Sequence, residues 1–456
     1  MTPSLLDNFS SFADAKNWVL EYYGFDVELF EKLLQTKPAT FWYTLGQQRA
    51  LNIFHHAARR VPAYQDFLKG HGVDSKKIKT IEDFTTVPAT DKHNYIQAYP
   101  LAARSWDGKL DRQSLVAISS GTSGEPTFWP RGGYQEFEQA IIHEVLYRAH
   151  FQIHKRRTLM LICFPMGVYV SGIATLIPSW LVAQKYPNLS LVSVGNKQTD
   201  ILKALANLKD GYEQIALVGH PFIIKDVLET AKREKISLKN HRVGVMCCSE
   251  SFNEDWRTYV EKLANAKIFN TYGSSELLLI GYEMPSKKGY WYNPLLRYAE
   301  MQNNELLFTA ASGVPLIRFN LHDTGSVKNN IITLQGRSDH TVIFYAANIY
   351  PEHIRAALNR KTWYGKLTGK FTMEKTSLRN RDEALTIHIE LRSGIKPNKV
   401  LTDAIGREVV ATLKRINLEY VDITARFGSR VIPRIVLHPY QEPKYFPLGL
   451  KPRYII

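Results

Sequence analysis

The sequence predicts an α/β fold. A large N-terminal domain has mixed and parallel sheets covered by helices plus a small β-rich part, and a small α+β domain follows it. Three observations carry this reading. Apolar runs alternate with amphipathic ones between residues 158 and 273, the pattern turns β-like from Tyr290 to Leu334, and it changes again beyond Gly336.

The first hundred residues read as helical. In "LGQQRALNIFHHAARRVPAYQDFL", Leu45, Ala50, Ile53, Phe54, Ala57 and Ala58 fall near helical spacing, and Pro62 ends that helix. Residues Ser114 to Ile118 read as a strand that enters the hydroxyl- and glycine-rich loop "SSGTSGEPT". From Thr158 to Ala183 no charge occurs, a length that could cross a bilayer. Pro165, Pro178, Gly167 and Gly172 interrupt it, so "TLMLICF" reads as a buried strand, "PMGVY" as a turn and Val170 to Tyr186 as a core helix.

Strand "QIALVG", helix "PFIIKDVLETAKREK", strand "RVGVMCCS", helix "NEDWRTYVEKLAN" and strand "AKIFNTYG" then alternate, as in parallel sheets covered on both faces. "NELLFTA", "PLIRFNL" and "IITLQG" are shorter β-like runs. After Gly336, "NIYPEHIRAALNR" opens a helix, "ALTIHIEL" is a strand and "PNKVLTDAIGREVVATLKRI" is a long amphipathic helix. "YVDITARF" and "RIVLHPY" both read as strands. This last domain holds about 115 residues, a size that folds autonomously. The expected division is 1–339 and 340–456.

Composition narrows the function. The 456 residues are 45% hydrophobic and carry a net charge of +15, which favours anionic partners such as nucleotides, coenzyme A or an acidic carrier protein. The basic residues are scattered in short pairs such as Arg156-Arg157 and Lys287-Lys288, unlike a nucleic-acid module, so nucleic acid is not expected as a partner. Cys163, Cys247 and Cys248 have no CxxC spacing and read as buried apolar residues in a reducing, cytoplasmic compartment. The N-terminus "MTPSLLDNFSSFADAKNW" lacks the basic start and apolar core of a secretory signal.

Neither GxxxxGK[ST] nor GxGxxG occurs, and no GxSxG elbow, HExxH or paired CxxC is present. The hydroxyls of Ser119, Ser120, Thr122 and Ser123, with Gly121 and Gly124, could cradle an anion; a solvated loop can have the same composition. Four more stretches fall at predicted strand ends, where open α/β sheets bind ligands. They are "CCSES" at 247–251, "NTYGSSE" at 270–276, "RFNLHDTG" at 318–325 and "GRSDHTVIFYAANIYPEHI" at 336–354.

Together and in this order, these stretches resemble the phenylacetate–coenzyme A ligase branch of the adenylate-forming enzymes. That branch shows SSGTTGKPT, a GAE-like tripeptide, YGxSE, RYRTxD and GRSDDMxxxxGVNVFPxxIE. "VPAYQDFL" and "IEDFTTVPATDKHNY" resemble its N-terminal segments, so the resemblance runs from about residue 45 to the end.

The resemblance implies ATP-dependent activation of a carboxylic acid as an acyl-adenylate. A thiol, usually that of coenzyme A, then displaces AMP, and the C-terminal domain is a mobile lid. It assigns the phosphates to Ser119, Ser120, Gly121, Thr122, Ser123 and Gly124, and the adenine to Ser249, Glu250, Tyr272 and Gly273. It gives the ribose to Asp323, the ribose and phosphate to Arg337, Mg²⁺ to Glu276 and the hinge to Asp339. The catalytic lysine matches Lys451, with Lys444 second.

By the same analogy the acyl pocket draws on Tyr169, Gly219, His220, Pro221 and Tyr272, and its aromatic side chains suit an aromatic acid. Departures are Glu125 for the loop lysine, His340 for a second aspartate and Ala346 for the glycine beside the pantetheine arm. An amine or carrier protein as acceptor, a catalytically silent nucleotide-binding relative, and a homodimer remain open at this stage.

Overall fold

The structure is a computed structural model and describes residues 18–455 except 111–114, 120–126, 168, 249–253, 286, 339–340, 364, 379–381 and 447–453. The chain forms two compact units. The larger comprises Met1–Ser119 and Phe128–Gly336; the smaller comprises Ser120–Thr127 and Arg337–Ile456.

Helices open the larger unit. In Val27–Thr36 the Leu29 amide donates to the Asp26 side chain at 2.9 Å, an N-cap that satisfies a donor the helix cannot. Helix Ala39–Arg60 buries Trp42, Ala50, Ile53, Phe54 and Ala57 and stops at Val61. Pro62 opens the next helix, Pro62–Gly70, at the one helical position where its missing N–H costs nothing.

Two strands, β1 (Leu115–Ser119) and β2 (Thr127–Arg131), pair with each other. The main sheet takes β3 (Thr158–Cys163), β4 (Leu189–Val192), β5 (Gln214–Gly219), β6 (Arg242–Cys247) and β7 (Ala266–Ser274) in the parallel order β4-β3-β5-β6-β7. Every residue of β3 and β5 is buried, which accounts for their unbroken apolar sequences.

The sheet continues through β8 (Leu278–Met284) and β9 (Lys287–Tyr292), antiparallel to their neighbours. Beyond them lie β13 (Ile331–Arg337), β12 (Leu316–Lys328), β11 (Glu305–Ala310) and β10 (Tyr298–Gln302). Two sets of helices touch it: Gly133–Phe151 with Val170–Lys185, and the series Gln198–Leu208, Pro221–Arg233 and Glu254–Ala264. The charge-free stretch is thus β3 and one core helix; among the described residues no helix is long and apolar enough to cross a membrane.

The smaller unit begins with a hairpin of β14 (Val342–Phe344) and β15 (Ala347–Ile349), followed by helix Pro351–Leu358. Its sheet has β17 (Glu383–Leu391) between antiparallel β16 (Leu367–Ser377) and parallel β18 (Arg434–His438). Helix Lys399–Ile416 packs against β18.

One expectation is corrected here. "YVDITARF" lies in a helix, Leu418–Phe427, and is not a strand. Its buried residues are Tyr420, Ile423 and Phe427, a helical spacing, and the Asn417 side chain accepts from the Tyr420 amide at 2.9 Å. Cys163 and Cys247 are buried as expected, whereas Cys248 is only half-buried.

Candidate active site

The site in the larger unit gathers at the C-terminal ends of β3, β6 and β7. A tight connection from Ser274 to Leu278 joins β7 to β8, and the Ser274 hydroxyl accepts from the Leu277 amide at 3.1 Å. Gly273 is required there, since a Cβ would collide with the Leu278 carbonyl. The connection holds Glu276 buried, although it lies between two strands.

A separate segment brings the counter-charge. Thr90 joins β12: its amide donates to the Arg318 carbonyl at 3.2 Å, and its carbonyl accepts from Asn320 at 2.7 Å. Asp91 then caps the turn 92–96 by accepting from the His93 and Asn94 amides. Lys92 emerges from that turn with Nζ 2.8 Å from Glu276 Oε1. Burial pushes the Glu276 carboxyl up, but the Lys92 ammonium and the Ser274 hydrogen bond outweigh it and hold the group below its ordinary range. Glu276 is therefore an ionised, buried carboxylate.

Across the sheet, the Tyr272 phenol on β7 donates to Asp323 Oδ2 on β12 at 2.6 Å, and both residues are buried. Arg318, earlier in β12, has a different task. It is buried, its Nε donates to Glu300 Oε1 at 2.7 Å, and its Nη1 donates to the Val87 carbonyl. That arginine ties the Thr90 segment to the sheet.

The remaining expected residues lie as follows. The Ser119 hydroxyl, at the end of β1, accepts from Trp129 Nε1 at 2.8 Å. Arg337 ends β13 and begins the smaller unit. Tyr169 precedes helix Val170–Lys185 and bridges to Ile118. Gly219 ends β5, and Pro221 opens the following helix. His220 stacks edge-on against Phe164, and its Nδ1 lies 3.3 Å from the Cys248 carbonyl. Lys444 is exposed, with Nζ 4.8 Å from the Tyr445 ring centre.

Ser120, Gly121, Thr122, Ser123, Gly124, Glu125, Ser249, Glu250, Asp339, His340 and Lys451 lie outside the described residues.

A cavity of about 90 Å³, partly open to solvent, lies beside the Ser274–Leu278 connection. Phe164, Val170, Ala174, Met246, Leu278 and Leu279 give it an apolar wall, and His143, Ser171, Thr175, Cys248 and Gly273 to Ser275 add polar or backbone groups. A narrow recess lined by Trp129, Arg131 and Glu276 shares Val170, Ser275 and Leu278 with it. One side of the connection thus faces an apolar pocket and the other an ionised carboxylate. An apolar wall with a few polar groups is the lining of a small-ligand pocket.

No family model matches the chain. Two curated relatives are named phenylacetate–coenzyme A ligase. The one from Thermus thermophilus is 22% identical over 364 residues, 72% of this chain and 78% of that protein. The one from Aromatoleum evansii is 22% identical over 420 residues, 85% of this chain and 90% of that protein. A crystal structure of 2-hydroxyisobutyryl-CoA ligase, in complex with 2-HIB-AMP and CoA in the thioesterification state, superposes with a TM-score of 0.70. The two are 18% identical, and the match covers 92% of this chain and 90% of that one.

In sequence the chain is similar to phenylacetate–coenzyme A ligases. It has the adenylate-forming fold.

Within this ligase-like chain, sequence reading missed Lys92 and His143. Lys92 was signalled by the "PATDKHNY" segment quoted for the resemblance, but nothing local linked it to Glu276. His143 sits on helix Gly133–Phe151, which is buried nearly all round and has no polar face to mark an exceptional residue. Among the described residues no group of three or more His, Cys, Asp or Glu is placed to hold a metal ion. A Mg²⁺ bound with nucleotide phosphates needs only one or two carboxylates, and buried, ionised Glu276 fits that role.

Proposed function

We propose that this chain activates a small carboxylic acid with ATP, forming an acyl-adenylate and pyrophosphate, and transfers the acyl group to coenzyme A with release of AMP. The aromatic acids are the favoured substrate class. The observation that carries the reading is the shared wall: an apolar cavity and a recess with an ionised carboxylate meet at Ser275 and Leu278. An acid in the cavity can present its carboxylate toward a nucleotide while its apolar body stays dry.

The roles follow from chemistry. Glu276 supplies a hard oxygen to Mg²⁺, which would neutralise phosphate charge when bound. Asp323 accepts from the ribose hydroxyls, since a carboxylate can accept from several donors. Tyr272 fixes that carboxylate and borders the adenine. The loop from Ser119 to Gly124 cradles phosphate oxygens, and Ser249 and Glu250 border the adenine with Gly273. Arg337 pairs with ribose and phosphate, and Lys451 stabilises charge developing on the reacting carboxylate and α-phosphate. Phe164, the start of helix Val170–Lys185 and Met246 form the acyl pocket together with the Gly219-His220-Pro221 corner, where His220 packs on Phe164.

The smaller unit acts as a lid that turns about Asp339 between the two half-reactions. Ala346 weakens the use of coenzyme A relative to a glycine but is compatible with it. Tyr345 and Ala346, between β14 and β15, have φ of 51° and 67°, so the alanine follows the left-handed path that a glycine favours. Its methyl adds strain without rerouting the backbone.

Acid-dependent exchange of labelled pyrophosphate into ATP, measured over a panel of aromatic and aliphatic acids, tests the reading. Exchange with at least one acid supports it, and no exchange with any acid overturns it in favour of a silent relative.

A further inference from the structure

We infer that the acid taken by this cavity carries a hydroxyl group, which donates a hydrogen bond to Nε2 of His143. The inference rests on the proposed acid-binding reading of the cavity and narrows its substrate class.

Helix Gly133–Phe151 is buried along almost its whole length, so each polar side chain on it needs a partner. Most have one. Glu136 pairs with Arg131, Glu138 with Arg49 and Arg297, and Glu144 with Lys185 and the Tyr186 hydroxyl. The Gln139 side chain exchanges hydrogen bonds with the backbone of Leu279. Two histidines are exceptions. Among the described residues Nε2 of His150 is buried without a partner, but that ring stacks on Phe269 and is not part of the cavity wall. His143 is part of it, and its Nδ1 lies 2.7 Å from the Gln139 carbonyl, which can only accept, so Nδ1 carries the proton.

Burial pushes the His143 ring down to about 4, so it is neutral at physiological pH. In a neutral ring protonated at Nδ1, Nε2 is an acceptor. Among the described residues Nε2 has no hydrogen-bond partner, and the ring forms part of the cavity wall.

A buried acceptor facing an apolar pocket discriminates between ligands. A hydrogen-only analogue leaves Nε2 desolvated and unpaired, and a methyl ether offers it a second acceptor. A hydroxyl satisfies it. Phe164, Val170, Met246 and Leu279 accommodate the apolar remainder of the acid.

The test measures equilibrium binding of free acids to the full-length protein by calorimetry, with pyrophosphate exchange run in parallel. The probes are the isomeric hydroxyphenylacetates and hydroxybenzoates, set against phenylacetate, benzoate and the corresponding methyl ethers. At least one hydroxy acid is expected to bind tenfold or more tightly than both its parent and its methyl ether. His143→Phe should bring that ratio to within about twofold of unity, and His143→Gln, which retains an acceptor, should keep most of it.

Equal binding of parent and hydroxy acid, or no binding of any hydroxy acid, overturns the inference even where exchange shows the enzyme to be active. Selective binding without exchange keeps the inference and removes the ligase reading. If His143→Phe does not fold, the comparison of hydroxyl with methyl ether in the unsubstituted protein decides alone.

Discussion

Tyr272 donates its phenolic proton to Asp323 across the sheet at 2.6 Å, joining the motif "NTYGSSE" on β7 to "RFNLHDTG" on β12. Both residues are buried, so the bond orients a carboxylate that solvent cannot orient. Tyr272→Phe should lower stability by about 1–3 kcal/mol, the usual cost of leaving a buried charged acceptor without its donor. It should also raise KM for ATP several-fold with a smaller change in kcat. Denaturant melts and steady-state kinetics check both; an unchanged KM for ATP removes Tyr272 from the nucleotide side.

Lys92 holds the Glu276 carboxyl ionised in a buried place. Lys92→Met removes the ammonium and keeps the apolar stem, so the carboxyl should rise toward protonation and its metal affinity should fall. The expected result is a rise of roughly tenfold in the Mg²⁺ concentration needed for half-maximal adenylation, less marked at higher pH, where Glu276 ionises again. A magnesium titration at two pH values measures this. Unchanged magnesium dependence would separate Lys92 from the site.

The β14–β15 hairpin places Ala346 at φ 67°, where a Cβ is strained. Ala346→Gly should therefore stabilise the smaller unit by about 1 kcal/mol, the strain of a left-handed alanine offset by glycine's greater unfolded entropy. Thermal or denaturant unfolding checks the sign. A destabilised glycine variant would contradict the hairpin geometry.

His143 is kept neutral by burial, with its value depressed from 6.5 to about 4. In the unfolded chain the ring binds a proton below 6.5, whereas the folded protein resists protonation until about 4. The contribution to stability is complete above 6.5 and is lost as pH falls through that window, reaching about 3 kcal/mol. Denaturation midpoints between pH 7 and pH 4 should fall less steeply in His143→Gln than in the native protein. Parallel curves would show that His143 does not titrate as described.

Lys451→Ala should lower adenylation by orders of magnitude while largely sparing thioester formation from supplied acyl-adenylate. Near-native pyrophosphate exchange in that variant would move the role to Lys444.

The parts of this fold legible in sequence are those that burial writes into it. Parallel strands covered on both sides, such as β3 and β5, become unbroken apolar runs, and the helices between them keep one apolar face. The helix Leu418–Phe427 was misread because Val421, Ile423 and Ala425 alternate as a strand would, while its buried set follows the helical period. The β16 strand was overlooked because lysines and glutamate interrupt its apolar residues.

At the site, "CCSES" and "NTYGSSE" fall where β6 and β7 end, whereas "RFNLHDTG", also expected at a strand end, lies inside the long strand β12, and contacts between distant segments left no local sign. Lys92 reaches Glu276 only because Thr90 is pinned to β12, and His143 becomes exceptional only once its neighbours' partners are known.

The most direct test of the ligase reading incubates the full-length protein with ATP, Mg²⁺, coenzyme A and each acid of the panel, and identifies products by mass. The account predicts AMP, pyrophosphate and an acyl-coenzyme A thioester in equal amounts for at least one acid, with loss of all three in Glu276→Gln. Product formation that is indifferent to Glu276→Gln, or an acylated amine or carrier protein in place of the thioester, would contradict it.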